Sequence, residues 1–253
     1  MSDTLIRIGG FQKLTLLDYP GMMACIVFTA GCNFRCPFCQ NAGLVSEKRF
    51  SGTVPAQKEI FQYLKKRRGI LDGVVISGGE PLMQEGIEDF IRDVKEIGFW
   101  VKVDTNGSFP DRLEDLMRKG LIDYAAMDIK SGRSGYEAAS GRAAGDILPA
   151  VERSIDLLKE AVAAGRQNAV PEPGTAGEGF SCEFRTTLVK GIHSREDVEE
   201  IAERIGNDVP YYLQSYSDAG DILKPEGLSS FSEPELQKML DAARRHCRLA
   251  QLR

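Results

Sequence analysis

Six apolar runs alternate with six segments of helical periodicity, and this alternation limits the folds open to the chain. Met22 to Thr29 is apolar almost throughout, as a strand buried on both faces should be. Gly73 to Ser77, Phe99 to Asp104, Tyr124 to Ile129, Cys182 to Val189 and Val209 to Tyr216 supply five more strands. Between them, Pro55 to Arg68, Gln84 to Ile97, Asp111 to Lys119 and Ile147 to Ala164 read as helices. In the second of these, Ile87, Ile91, Val94 and Ile97 recur at helical spacing. Ser194 with Asp197, and Ser232 with Glu235, mark the starts of two more helices. Strands that each feed a helix pair in parallel, through right-handed crossovers. A full barrel of this kind uses eight units. Six leave an α/β partial (β/α)6 open barrel, which can admit a large substrate at its side. Residues 1–21 precede the first strand as a lead-in hairpin or edge segment. The Pro/Gly-rich stretch 165–181 is expected to be a mobile insertion on the non-catalytic face. No internal repeat or domain boundary interrupts residues 1–253.

The loop after the first strand carries Cys32, Cys36 and Cys39. Thiolates bind soft metals and iron–sulfur clusters. Three of them in a compact loop can present one face to a cluster but cannot close a tetrahedral shell. The next cysteine is Cys182 and the histidines are His193 and His246, so a zinc site lacks its second half. A 4Fe-4S cluster on three thiolates leaves one iron open to an exogenous ligand. Two plainer accounts are three buried structural thiols, or a disulfide with a spare thiol. The first ill suits a polar, Gly-led loop; the second suits a secreted chain, and Met1 to Arg7 has no signal-peptide core. Cys25, Cys182 and Cys247 are scattered and fit core positions, so one cluster is expected.

The motifs then fall in a telling order. Ser77-Gly78-Gly79-Glu80-Pro81 follows the second strand, Asp104-Thr105-Asn106-Gly107 the third, and Met127-Asp128-Ile129-Lys130 ends the fourth. All lie at C-terminal strand ends, where parallel barrels build active sites. The C-x3-C-x2-C spacing, with Phe38 before the last cysteine, resembles the radical S-adenosylmethionine (SAM) superfamily. The later motifs, in this order, resemble its activating enzymes for glycyl radical enzymes. Gly10 to Gly21 resembles more specifically the activating proteins of anaerobic ribonucleoside-triphosphate reductase. The resemblance runs from about Ile8 to about Tyr216 and thins after Lys130.

That resemblance implies the partial barrel independently, together with one 4Fe-4S cluster and SAM as cofactors. It implies Cys32, Cys36 and Cys39 as cluster ligands. It places Phe38, Asn41, Gly78, Gly79, Glu80, Asp128 and Lys130 around SAM: Phe38 near the adenine, the Gly-Gly segment at the amino group, Lys130 at the carboxylate and Asp128 at the ribose. Glycines there let the backbone approach a ligand closely. It further suggests a monovalent cation beside SAM at Asp104, Thr105 and Asp128, with Asn106 in support. Hard oxygen ligands make such a site chemically reasonable; a carboxylate satisfying loop backbone is the plain alternative. Arg185 and His193 lie within reach but match no motif. With no second cysteine set, electrons are expected from a flavodoxin or ferredoxin. The implied partner is a glycyl radical enzyme, anaerobic ribonucleotide reductase first. A small-molecule radical SAM enzyme, such as a nucleobase-modifying synthase, and a non-catalytic iron–sulfur electron carrier are the alternatives.

A formal charge of -5 argues against a general nucleic-acid binder. No apolar run approaches membrane-spanning length, and the cytoplasm is expected. The loops Arg133 to Gly145 and Ser217 to Ser230 are expected on the catalytic face as partner contacts.

Overall fold

The computed structural model describes residues 5–45, 54–164 and 179–253. Most of the expected 165–181 insertion, namely 165–178, lies outside the described residues. The described strands form one eight-stranded sheet in sequence order. β1 (Ile8–Thr15) is the lead-in segment and pairs antiparallel with β2 (Ala24–Thr29). β3 (Gly73–Gly78), β4 (Trp100–Thr105), β5 (Tyr124–Asp128), β6 (Ser181–Leu188) and β7 (Tyr211–Ser215) follow, each parallel to its predecessor. The six expected parallel strands are thus present, shifted at their ends by up to two residues.

β8 (Ala250–Leu252) is an addition to the expected order and extends the sheet in parallel beyond β7. Three residues are too few to show an alternation, so nothing in Ala250-Gln251-Leu252 marks a strand in advance. The helices are α1 (Ala42–Val45), α2 (Gln57–Lys66), α3 (Ile87–Ile97), α4 (Pro110–Arg118), α5 (Tyr136–Ser140), α6 (Ala144–Ala163), α7 (Arg195–Ile205) and α8 (Glu233–Arg244). Pro81–Met83 forms a 3-10 turn ahead of α3. The expected caps hold: Ser194 N donates to Asp197 Oδ2 at 2.8 Å, and Ser232 N to Glu235 Oε2 at 2.8 Å.

α5 corrects one expectation. Arg133 to Gly145 is not an open loop: it contains α5 and the first residues of α6. Tyr136, Ala139 and Ser140 are buried, and Ser140 O accepts from Arg35 N at 2.8 Å. This segment braces the cysteine loop. A five-residue helix is too short for periodicity to reveal it.

Strand alternation sorts the core into two parts. Cys25, Val27, Val74, Ile76, Val101 and Val103 face outward, under the buried stripes of the helices; on α3 the stripe is Ile87, Phe90, Ile91, Val94 and Ile97. Ala24, Ile26, Val75, Tyr124 and Ala126 face the other way and pack with Tyr19 and Met22. Above this inner plug the same face turns polar. Ser77, Asp104, Asp128, Arg185 and Gln214, from β3 through β7, border one cavity. Consecutive parallel strands can share a cavity only if the sheet is rolled. Among the described residues no pairing joins β1 to β8, so the roll stays open. No helix among them is long and apolar enough to cross a membrane.

Candidate active site

The cavity, about 330 Å³, opens at the C-terminal ends of the parallel strands. Cys32, Cys36, Phe38, Cys39 and Asn41 form its rim, Gly78 and Gly79 one wall, and Asp104, Thr105, Asn106, Asp128 and Lys130 the inner side. Twelve of the thirteen residues singled out from sequence therefore meet on one surface. Glu80 alone does not reach it.

Glu80 is fully buried and spends its carboxylate on the chain itself. Oε1 accepts from Leu82 N at 3.0 Å and from Thr105 Oγ1 at 2.9 Å; Oε2 accepts from Asn106 N at 2.7 Å. It fastens the loop after β3 to the loop after β4. Burial nevertheless pushes its pKa up to about 7, against those three donors.

The two glycines have a reason that the sequence does not disclose. A methyl on Gly79 would stand 1.9 Å from Gly31 O, and one on Gly78 2.6 Å from the backbone of Thr29. Gly78 also has φ +105°, which side chains rarely adopt. Their Cβ atoms are excluded by the start of the cysteine loop, which hydrogen-bonds there through Gly79 N to Thr29 O and Glu80 N to Gly31 O, both 2.9 Å. Gly79→Ala is expected to cost about 3 kcal/mol by forcing this contact apart. A denaturation midpoint equal to wild type would show that the loops do not abut.

The cysteine loop is held on both sides. α5 supports it through Ser140, and Cys36 Sγ lies 3.9 Å from Ser140 O. The loop Ser217 to Ser230 crosses its other side: Leu223 N donates to Cys39 O at 3.2 Å and Lys224 N to Pro37 O at 2.9 Å. This loop does lie on the expected face, but it serves as a strap on the cysteines. Phe34 N approaches Cys32 Sγ at 3.4 Å, and Asn106 Nδ2 approaches the same sulfur at 3.9 Å.

No disulfide joins any of the six cysteines. Burial pushes Cys32 up to about 12 and Cys36 to about 11, and raises Cys39 as well. As bare groups they are therefore neutral thiols, and metal binding would have to displace their protons. Among the described residues no three His, Cys, Asp or Glu side chains converge on a point that could hold a single ion. Three separated thiols on one cavity wall, with N–H groups near sulfur, fit the corners of a cluster better than a mononuclear metal. Cys25, Cys182 and Cys247 are buried in the core, as expected.

Charge is concentrated on the inner side. Arg185 Nε lies 2.7 Å from Asp128 Oδ1, and its Nη1 3.4 Å from Asp104 Oδ1. Lys130 Nζ lies 3.1 Å from Asp128 Oδ2, and Lys102 Nζ 2.5 Å from Asp104 Oδ1. Burial opposes the charges of Asp104 and Asp128, but Arg185 first, with Lys102 and Lys130, holds both below the usual carboxylate range. Burial also opposes the Lys130 charge, yet Asp128 keeps its pKa above the ordinary lysine value. Arg185, which lines the cavity, and Lys102, which reaches it only through Asp104, are charges that sequence motifs missed.

His193 acts from behind. Its Nδ1 accepts from Val189 N at 3.0 Å, so Nε2 carries the hydrogen and donates to Lys130 O at 2.7 Å. Its ring also meets the Phe38 ring edge-on, centroids 5.7 Å apart. Burial lowers its pKa. A depressed folded-state value means that this stability is present above the unfolded value of about 6.5 and lost as pH falls through the folded one. His193→Ala is expected to cost about 2 kcal/mol at neutral pH, with the difference from wild type shrinking on acidification below pH ~6.5. Denaturant titrations across pH would check both; a pH-independent difference would remove His193 from this role.

Residues 26–205 match the model of the radical SAM superfamily, and the chain belongs to that superfamily. Its chemistry implies SAM and a 4Fe-4S cluster. A protein of Methanocaldococcus jannaschii, provisionally named as a glycyl-radical enzyme activating enzyme, is 33% identical over 212 residues, spanning 83% of this chain and 79% of its own. The 7-carboxy-7-deazaguanine synthase of Clostridium acetobutylicum is 33% identical over 118 residues, spanning 46% of this chain and 51% of its own. Among solved structures, TYW1 with a lysine-pyruvate adduct bound superposes with a TM-score of 0.60 at 17% identity, covering 90% of this chain and 76% of that one. That likeness is one of fold.

Proposed function

We propose that this radical SAM enzyme installs a glycyl radical on a partner enzyme, with anaerobic ribonucleotide reductase as the first candidate. The supporting observation is the extent of the kinship with the glycyl-radical activating relative, which spans 79% of that protein against 51% of the deazaguanine synthase. The open side of the roll agrees with a polypeptide substrate. The cavity reaches from Asp18, in the turn after β1, to Gln214 on β7. Leu16 and Leu17, 67% and 87% exposed, stand beside Asp18 as apolar contact points for a protein partner. The resemblance of Gly10 to Gly21 to the reductase-activating proteins favours that partner.

In this reading Cys32, Cys36 and Cys39 are the protein ligands of the cluster, with one iron left for SAM. A cluster held there would supply the single electron for reductive cleavage of SAM to methionine and a 5′-deoxyadenosyl group able to take hydrogen from a backbone glycine. Lys130, aimed into the cavity and kept charged by Asp128, pairs with the SAM carboxylate. The segment Gly78-Gly79 receives the amino group, Phe38 borders the adenine, Asn41 hydrogen-bonds near SAM, and Asp128 lies at the ribose. Glu80 serves SAM only through the loops it fastens. A flavodoxin or ferredoxin supplies electrons.

The test is anaerobic reconstitution with iron and sulfide, reduction, addition of SAM with a candidate glycyl radical enzyme, and electron paramagnetic resonance. A stable backbone radical on that enzyme with release of 5′-deoxyadenosine is expected. The second reading is a nucleobase-type small-molecule substrate, favoured by the synthase kinship. SAM cleavage that needs only such a small molecule, and leaves every glycyl enzyme without a radical, would establish it instead.

A further inference from the structure

The inner charges include one group that SAM chemistry does not use. Lys102, on β4, is 1% exposed. Lysine is almost never buried to this degree without a partner. Its ammonium lies 2.5 Å from Asp104 Oδ1 and 5.8 Å from the centroid of the Tyr124 ring. The neighbours of Lys102 across the sheet are Val75 and Tyr124, so strand register rather than a flexible loop fixes its side chain inside the roll.

The family resemblance suggests a monovalent cation at Asp104, Thr105 and Asp128, and these residues do not fit one. The Thr105 hydroxyl donates to Glu80 and accepts from Gly107 N at 3.1 Å. Asp104 is taken by Lys102 and by Ser77 Oγ at 2.8 Å. Asp128 is taken by Arg185 and Lys130. Four cations, Lys102, Arg185, Lys130 and Arg253, already face three carboxylates, Asp104, Asp128 and Glu183. A further cation would meet a surplus of like charge in a partly desolvated space.

We propose that the Lys102 ammonium is this chain's built-in monovalent cation, and that the protein binds neither potassium nor sodium at Asp104. An ammonium carries the same single charge and satisfies carboxylate oxygen in the same way, but it arrives on a strand and is never released. Lys102 is then a positioning residue. It holds Asp104 against Ser77, the residue before Gly78-Gly79, and through Arg185 steadies Asp128 beside Lys130. Removing the ammonium leaves the Asp104 charge short of a partner and vacates the volume of a lysine beside it. A free monovalent cation can enter there.

The test does not require SAM cleavage, so it can fail or succeed apart from the activase reading. The anaerobically purified protein is melted in potassium, sodium and choline chloride at equal ionic strength. Wild type is expected to give one midpoint in all three. Lys102→Met is expected to melt lower in choline, and to rise by about 5 °C in potassium or sodium at a hundredfold excess over the dissociation constant, with saturation. A saturable response of wild type to potassium or sodium, absent in choline, overturns the proposal, as does a Lys102→Met protein that is equally destabilised in all three salts. Should Lys102→Met fail to accumulate, wild type decides together with Lys102→Arg, which keeps the charge. Indifference of both to the cation supports the built-in ammonium, and a specific response of either overturns it.

Discussion

Cys36→Ala is expected to reduce SAM cleavage to below detection while the protein still folds. Cys36 is 7% exposed and sits between α5 and the strap from Ser217 to Ser230. Its sulfur makes one weak contact, to Ser140 O at 3.9 Å, so the truncation should cost only about 1 kcal/mol of stability. As a proposed cluster ligand it has no substitute. Among the described residues no other Cys, His, Asp or Glu converges with the remaining pair to complete an ion site. Two thiolates would leave the cluster without its third protein attachment. Iron content and visible absorbance after reconstitution should therefore fall together with release of 5′-deoxyadenosine. The control is Cys25→Ala. Cys25 is just as buried but belongs to the outward core under the helices, so it should lower the melting midpoint and leave iron content unchanged. A Cys36→Ala protein that keeps its iron and cleaves SAM would overturn the ligand assignment.

Much of this site could be read from the sequence because its motifs follow strands. Local periodicity locates the strands, and a parallel barrel brings all their C-terminal ends to one face. That placed Cys32, Gly78, Asp104 and Asp128 together before any coordinates. What stayed hidden depends on contacts across the fold. Gly79 reads as room for a ligand, yet Gly31 O occupies that room. Glu80 reads as a site carboxylate, yet its three donors come from Leu82, Thr105 and Asn106. The sequence also carries a signal for the inner charges. Glu183, Arg185 and Thr187 alternate along β6, and Lys102 and Asp104 along β4. Polar residues at period two in a parallel strand imply a polar inner face, since the outer face is covered by helices. Which carboxylate each cation meets follows from register, Asp128 beside Arg185, and no local pattern encodes that.

Arg185→Ala is expected to be the most destabilising single change on the inner face. Arg185 is the only described residue that bridges Asp104 and Asp128, and its Nη1 also lies 3.9 Å from Glu183 Oε1. Its side chain is 12% exposed, with Asp104 at 15% and Glu183 at 0%. Breaking a buried ion pair by removing one member leaves the other charge uncompensated, at a cost of about 3–5 kcal/mol. Asp128, at 30% exposure and still paired with Lys130, tempers this, so a loss of about 3 kcal/mol at pH 7 is expected. The pH dependence identifies the cause. In wild type, Arg185 holds Asp104 and Asp128 below their ordinary values, so its stabilisation is present above an unfolded carboxylate pKa of about 3.9 and lost as pH falls through the folded values. In the variant both carboxyls lose their largest lowering influence, Lys102 and Lys130 remaining, so each protonates at a higher pH than in wild type. The stability difference should therefore be widest near neutrality and should narrow as pH falls through the ordinary carboxylate value of about 3.9 toward the lower folded wild-type values. Arg185→Lys, which restores charge but cannot reach both carboxylates in one plane, should recover part of the loss. A difference that is flat with pH would mean that Arg185 contributes packing alone. In that case the ordering of Asp128 and Lys130 at the cavity must come from β5 and His193 without it.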